Sequence, residues 1–285
     1  MSKFKRGIRN IDFISALNNL LSNSQSFWHK IVNDKSLFIA IRDEYINVYH
    51  KGNSICKLWF EKGKVIGETH YKYLLDPYLN QYVKSTDGVF LLSNPECKFI
   101  TSLNSLKHIK EASSAYAGIE KTGVHSFIVK GQDILDIEIA FINDVNSTDR
   151  IDFLKLEKNN KTQMLDLVFY EVKHFSNSEI RANKTQSPKV LDQLARYEIA
   201  LNTHKADILI SYKLVCENMK DLNLIKGNAL IESVALGIES LEIDFKPRLI
   251  IFGFDQDQKD GKVWKNHRER LEKVLLNRLK TKGIL

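Results

Sequence analysis

The chain has 285 residues, 43% hydrophobic and 27% charged, with a formal net charge of +7. Apolar content at that level can bury a sizeable core, which excludes disorder for the bulk of the chain, and no run reaches the roughly 18 apolar residues of a membrane span. No apolar stretch follows the basic start Met1–Arg6, so a secretory leader is not expected, and Cys56, Cys97 and Cys216 are too dispersed for a disulfide framework or a CxxC knuckle, which suits a reducing cytoplasm.

In chain order, Ile11 to Val32 carries Phe13, Ile14, Leu17, Leu20, Leu21, Phe27, Trp28 and Ile31, a pattern for one or two amphipathic helices. Short β-rich runs follow at Ser36–Arg42, Tyr45–Tyr49, Ile55–Phe60 and Val65–Tyr71, punctuated by Lys51-Gly52-Asn53 and Glu61-Lys62-Gly63. They predict an antiparallel meander and a first α+β module over residues 1–100, whose residues carry no catalytic pattern. The second module, 101–285, opens with a predicted helix over Leu103–Glu120. Strands are predicted over Ile134–Ile142, Arg150–Glu157 and Met164–His174. Pro188, in an N1 role, starts a helix running to about Asn202, and strands over Ala206–Leu214 and Arg248–Phe254 follow. Helix, three strands, helix, strand is an α/β layered order.

The last tenth of the chain, Lys259 to Leu285, holds nine basic against three acidic residues, net +6. Trp264, Leu271, Leu275 and Leu279 recur there at a helical period, leaving Lys262, Lys265 and Lys273 for an outer face. That face is either a solvated surface or a handle for a polyanion such as nucleic acid.

Glu171 and Lys173 lie in the apolar run Leu167-Val168-Phe169-Tyr170-Glu171-Val172-Lys173, on one face of a strand. Unpaired burial would cost several kcal/mol each, so they need each other, a metal or a wet cleft. Asp152 sits near the start of the preceding strand. Two carboxylates on neighbouring strands plus the carbonyl of Val172 suit Mg²⁺, which keeps several waters, and a lysine beside it can orient or deprotonate an attacking water. Gln193 and Tyr197, four residues apart, share one helical face that can meet this shell.

Asp149-Arg150-Ile151-Asp152, Glu171-Val172-Lys173 and Gln193-x-x-x-Tyr197 together resemble the PD-(D/E)XK nuclease superfamily, in its RecB-type branch with the QxxxY helix motif. The resemblance covers about residues 103–215. A literal Pro-Asp is absent, since Ile151 precedes Asp152, which that branch tolerates. It implies a restriction-endonuclease-like αβββαβ core and Mg²⁺-dependent hydrolysis of DNA, with Mn²⁺ as a substitute, giving 5′-phosphate and 3′-hydroxyl products. Asp152 and Glu171 would be metal ligands, Lys173 the catalytic lysine, and Gln193 and Tyr197 the supporting motif.

For a third acidic ligand the candidates are Glu138, Glu120 and Glu111. A hairpin turning near Asn146 sets residue 140 opposite 152 and Glu138 on Asp152's face, diagonal to it, which favours Glu138. His174 points away by strand parity, Asp192 and Arg196 form an i,i+4 pair, and Asp207 caps the next strand. Motifs of nucleotide motors, dinucleotide folds, zincins and hydrolase elbows are absent, so processing of long DNA calls for a partner helicase or ATPase. Restriction, anti-phage defence or repair fits by analogy. The rival reading is a catalytically inactive nuclease fold serving nucleic-acid binding or assembly.

Overall fold

The computed structural model describes residues 4–142, 148–181, 187–225 and 227–283. Helix α1 (Ile11–Leu21) starts where the Asn10 side chain accepts the backbone N–H groups of Asp12 and Phe13, and α2 (Phe27–Asn33) starts at the Ser26 cap. The four expected strands form as β1 (Leu37–Ile41), β2 (Tyr45–His50), β3 (Asn53–Glu61) and β4 (Lys64–His70). Two more, β5 (Tyr82–Thr86) and β6 (Val89–Phe90), complete a six-stranded antiparallel sheet in chain order. Lys51-Gly52 and Lys62-Gly63 take positive φ at both positions, as the two-residue hairpin turns there require.

One face of this sheet, with Ile46, Val48, Leu58 and Val65, is buried, and α1 packs on β3 and β4. The single helix expected over 103–120 is two: α3 (Leu106–Ser114) and α4 (Ile119–Lys130), broken just before Gly118 caps the second. Both group with the first sheet, in a compact unit of Lys5–Gly131 and Ser211–Asn228.

The other unit comprises Met1–Phe4, Gln132–Ile210 and Ala229–Leu285. Its strands β7 (Ile134–Ile142), β8 (Thr148–Lys158) and β9 (Leu165–His174) form an antiparallel meander, followed by α5 (Lys189–Thr203). Pro188 stands at the N-cap of α5, one place before the N1 role expected of it. The strand expected over Ala206–Leu214 is instead helix α6 (Lys205–Asp221). Ile208, Tyr212, Val215, Cys216 and Met219 are its buried residues at helical spacing, and Asn218 exchanges two hydrogen bonds with the backbone of Ile8, at 2.7 and 3.0 Å. Asp207 therefore lies in a helical first turn, not at the head of a strand.

After α7 (Ala229–Ala235), the parallel neighbour of β9 is β10 (Leu241–Phe254), longer than the Arg248–Phe254 run expected. Helices α8 (Gln256–Asp260) and α9 (Lys262–Leu275) follow, and then β11 (Leu279–Gly283) pairs parallel with β10. Leu279 thus begins a strand rather than continuing the last helix. The sheet order is β11-β10-β9-β8-β7, with β9 central and α5 packed across β8 and β10. The chain is a mixed α/β protein with one antiparallel and one mixed sheet.

Candidate active site

The site lies where the β8–β9 ladder ends. Pairing runs from Lys158 opposite Leu165 to Phe153 opposite Tyr170 and stops one step before Asp152 would face Glu171. There the Asp152 side chain takes over a missing backbone acceptor: its Oδ2 receives the Val172 N–H at 2.7 Å. On the other side, β7 pairs Ile137 with Phe153 and Ile139 with Ile151, which sets Glu138 opposite Asp152. Glu138 itself sits at φ 51°, a left-handed backbone inside a strand that costs of order 1–3 kcal/mol in a non-glycine residue. Glu138, Asp152 and Glu171 therefore occupy one level across three adjacent strands, with the ladder interrupted on both sides of Asp152.

That register corrects the expected one. Residue 140 faces Arg150, not Asp152, so Glu138 is directly opposite Asp152 instead of diagonal to it. The turn expected near Asn146 lies outside the described residues. Glu138 accepts a hydrogen bond from Arg150 at 3.0 Å. Glu111 and Glu120 belong to α3 and α4 in the other compact unit, which leaves Glu138 as the candidate in Asp152's own sheet.

Glu171 and Lys173 are buried, 3% and 6% exposed, on the central strand. Lys173 Nζ lies 2.9 Å from Glu171 Oε1 and 2.6 Å from Glu179 Oε2. Glu179 stands on the 3₁₀ turn Ser178–Ile180, which the Asn177 side chain caps. Burial alone would lower the Lys173 pKa, but the two carboxylates override it and hold the ammonium charged, above its ordinary value. Asp152 is raised well above the usual carboxylate range, first by desolvation and then by the charge of Glu171, with Glu138 adding to it; the Val172 N–H works the other way.

Helix α5 closes the site from one side. Tyr197 is fully buried, and its hydroxyl lies 2.6 Å from the Arg150 carbonyl and 3.1 Å from Glu171 Oε2, so its one proton serves either acceptor. Gln193 Nε2 donates to the same hydroxyl at 2.5 Å, while Gln193 Oε1 is buried without a partner among the described residues. Desolvation and the charges of Glu171 and Asp152 push the Tyr197 pKa up, so it acts as a neutral hydrogen-bonding group. One turn away Arg196 reaches Asp149 at 3.1 Å, not the Asp192 expected at i−4, because α5 lies along the start of β8.

His174 is engaged locally, with Nδ1 2.8 Å from Ser176 Oγ and its ring edge-on to Phe252. Beyond it, Phe175 packs on Trp264 of α9, ring centroids 5.7 Å apart, so the basic helix adjoins the segment that follows Lys173. Trp264, Leu271 and Leu275 form its buried face, and Lys262, Lys265 and Lys273 are exposed.

The structure brings Asp152, Glu171, Lys173, Gln193, Tyr197 and Glu138 together. Sequence reasoning missed Glu179, since an acid on an irregular turn has no periodicity; the Asn177-Ser178-Glu179 turn signal was the only mark. Two carboxylates, a backbone carbonyl and an acceptor lacking a donor are hard oxygen groups that fit a hydrated divalent cation. Among the described residues no three or more His, Cys, Asp or Glu side chains close into a complete metal cluster. Compared with protein-family models, curated proteins and solved structures, the chain matches none.

Proposed function

We propose that the unit carrying Asp152, Glu171 and Lys173 is a Mg²⁺-dependent deoxyribonuclease that hydrolyses phosphodiester bonds. The observation that carries the reading is the meeting of those three side chains at an interrupted level of the sheet, against Tyr197. The element order lends it partial support: an antiparallel three-strand meander is followed by α5 and, after α6 and α7, by a strand parallel to the third, which is the βββαβ part of the order the resemblance implies.

Asp152 and Glu171, with the Val172 carbonyl and Glu138 as further donors, would hold the cation. When bound, Mg²⁺ (or Mn²⁺) lowers the pKa of a coordinated water and offsets charge on the phosphate. Lys173, held charged, would orient an attacking water and stabilise negative charge developing on the phosphoryl oxygens; its raised pKa argues against a role as general base. Tyr197 fixes the Glu171 carboxylate and the Arg150 backbone, and Gln193 fixes Tyr197. Lys262, Lys265 and Lys273 give the helix beside the site a phosphate-binding face. A helicase or ATPase partner and a place in restriction, defence or repair follow by analogy alone.

A second reading, an inactive nucleic-acid-binding module, is favoured by one observation: Lys173 is tied to two carboxylates, and of the acids Glu138, Asp152 and Glu171 the first has a left-handed backbone. Incubation with circular and linear DNA in Mg²⁺ or EDTA decides between them. Mg²⁺-dependent cutting that Lys173→Met abolishes supports the nuclease, and circular substrate reports endonuclease action. Absence of both cleavage and calorimetric Mg²⁺ binding supports the inactive module.

A further inference from the structure

The six-stranded sheet buries one face and leaves the other half-exposed, and the residues on that open face are not ordinary surface polar groups. The register sets Tyr45 opposite Trp59, and Lys57, Glu68 and Lys84 in one row across β3, β4 and β5. Lys57 Nζ stands 4.4 Å from the Tyr45 ring centroid and 5.6 Å from that of Trp59, and Lys84 Nζ stands 5.9 Å from Trp59. Aromatic rings and ammonium groups thus share one face from β2 to β5. At the β5 edge the face runs into a cavity of about 530 Å³ lined by Tyr78, Tyr82, Lys84 and Lys98. Tyr78 and Tyr82 are 93% and 53% exposed there. Large aromatic groups that open to water are the unusual feature, because tyrosine usually spends its ring on burial.

We propose that this face binds single-stranded nucleic acid. Bases stack on Trp59, Tyr45 and Tyr82, and phosphates meet Lys57 and Lys84. A duplex offers phosphates but hides its base faces, so it has no use for the rings. An acidic peptide would use the lysines and equally leave the rings idle. Glu68, midway between the two lysines, prevents the row from being a plain polyanion sink, so the rings decide the occupant. The surface lies wholly within the Lys5–Gly131 segment, and its occupancy is independent of the chemistry of Asp152, Glu171 and Lys173.

Tryptophan emission supplies a local readout. Trp28 and Trp264 are 0% and 1% exposed, whereas Trp59 is partly exposed on the open face. The full chain in EDTA is titrated with an oligothymidylate of about 20 nucleotides, a few times the span of one stacking platform. Expected are quenching of emission, its loss in Trp59→Phe with binding retained by fluorescence anisotropy, and about tenfold weaker binding for Tyr82→Ala, the scale of one base–aromatic stack. Lys84→Gln, an exposed conservative change, should flatten the slope of log affinity against log salt by about 0.7. Equal quenching by duplex DNA or by polyglutamate, absence of quenching, or wild-type affinity in both Tyr82→Ala and Lys84→Gln overturns the proposal.

Discussion

Replacing Lys173 by Met keeps the length and apolar stem of the side chain and removes only its charge. Glu171 would then be a carboxylate 3% exposed, on the same level as Asp152, with the Tyr197 hydroxyl at 3.1 Å as its hydrogen-bond donor. Breaking a buried pair by removing one partner costs 3–5 kcal/mol. Retention of the tyrosine bond points to the low end, about 3 kcal/mol. Loss of the Glu179 contact adds little, since that side chain is 43% exposed and rehydrates. At 2–4 °C per kcal/mol the melting temperature falls by about 9 °C. The deficit should be larger at pH 8 than in mild acid, because Asp152, raised well above the usual carboxylate range by desolvation and the charge of Glu171, is protonated there and repels Glu171 less. A divalent cation at 100 times its dissociation constant contributes about 2.7 kcal/mol. Mg²⁺ should therefore return most of the lost stability while DNA cleavage stays absent. Urea unfolding followed by tryptophan emission in a Trp28→Phe, Trp59→Phe background, which isolates Trp264 of the same unit, measures this at both pH values with Mg²⁺ or EDTA. A metal-free Lys173→Met protein as stable as wild type at pH 8, or one that Mg²⁺ does not stabilise, would refute the reasoning.

Asp152→Asn keeps an acceptor for Val172 N–H but cannot ionise. The native pKa of Asp152 is raised above its unfolded value of about 3.9, so its contribution is lost as pH rises through the native pKa. The variant should be more stable than wild type at pH 8 and equal near pH 4, with Mg²⁺ binding and cleavage gone; pH-resolved melts and calorimetry check both. Tyr197→Phe strands the Arg150 carbonyl and the Gln193 amide, costing about 1–3 kcal/mol and lowering the cleavage rate more than Mg²⁺ affinity. Joint replacement of Lys262, Lys265 and Lys273 by Gln should reduce the salt slope of duplex binding by about 2 to 3, read by anisotropy in EDTA. His50 is buried against Ser113, and desolvation, with Lys110 nearby, lowers its pKa to about 4. The unfolded histidine protonates near 6.5, so His50 should take about 2 kcal/mol from the first unit, after allowance for screening, between pH 6.5 and 4; His125, lowered by burial as well, adds to the slope, so His50→Gln should reduce it without removing it.

The site was legible where its chemistry coincides with a regular period. Glu171 and Lys173 stand out because strand alternation aligns two charges in a run that is otherwise apolar, and Gln193 and Tyr197 because four residues make one helical turn. Glu179 and the Arg196–Asp149 pair were not legible, since each depends on where a turn or a helix comes to rest against another element. The segment 206–214 shows the limit of pattern length. Ala206-Asp207-Ile208-Leu209-Ile210 reads as a short apolar strand, and the burial of Val215, Cys216 and Met219 that makes it helical falls beyond the window.

Hydrogen-bond accounting explains why the three acids meet where they do. A strand bonded on both sides has no room for a ligand between its neighbours, and β9 is flanked so from Leu165 to Tyr170, with an irregularity in β10 between Asp244 and Arg248. Past that point β10 continues alongside β9 as far as His174, while β8 departs. Val172 then needs a new acceptor, and Asp152 Oδ2 supplies it. The same carboxylate is thereby fixed beside Glu171, where desolvation and like charge keep it reluctant to ionise. Its Oδ2 atom holds the sheet end together. Glu138 shows the counterpart on β7: its left-handed backbone breaks the ladder opposite Asp152, and Arg150 meets its side chain. Pairing lost at one level of a sheet and recovered through side chains gathers carboxyl groups at a structural position, and the Lys173 ammonium, paired with Glu171, is the internal cation that makes this level tolerable.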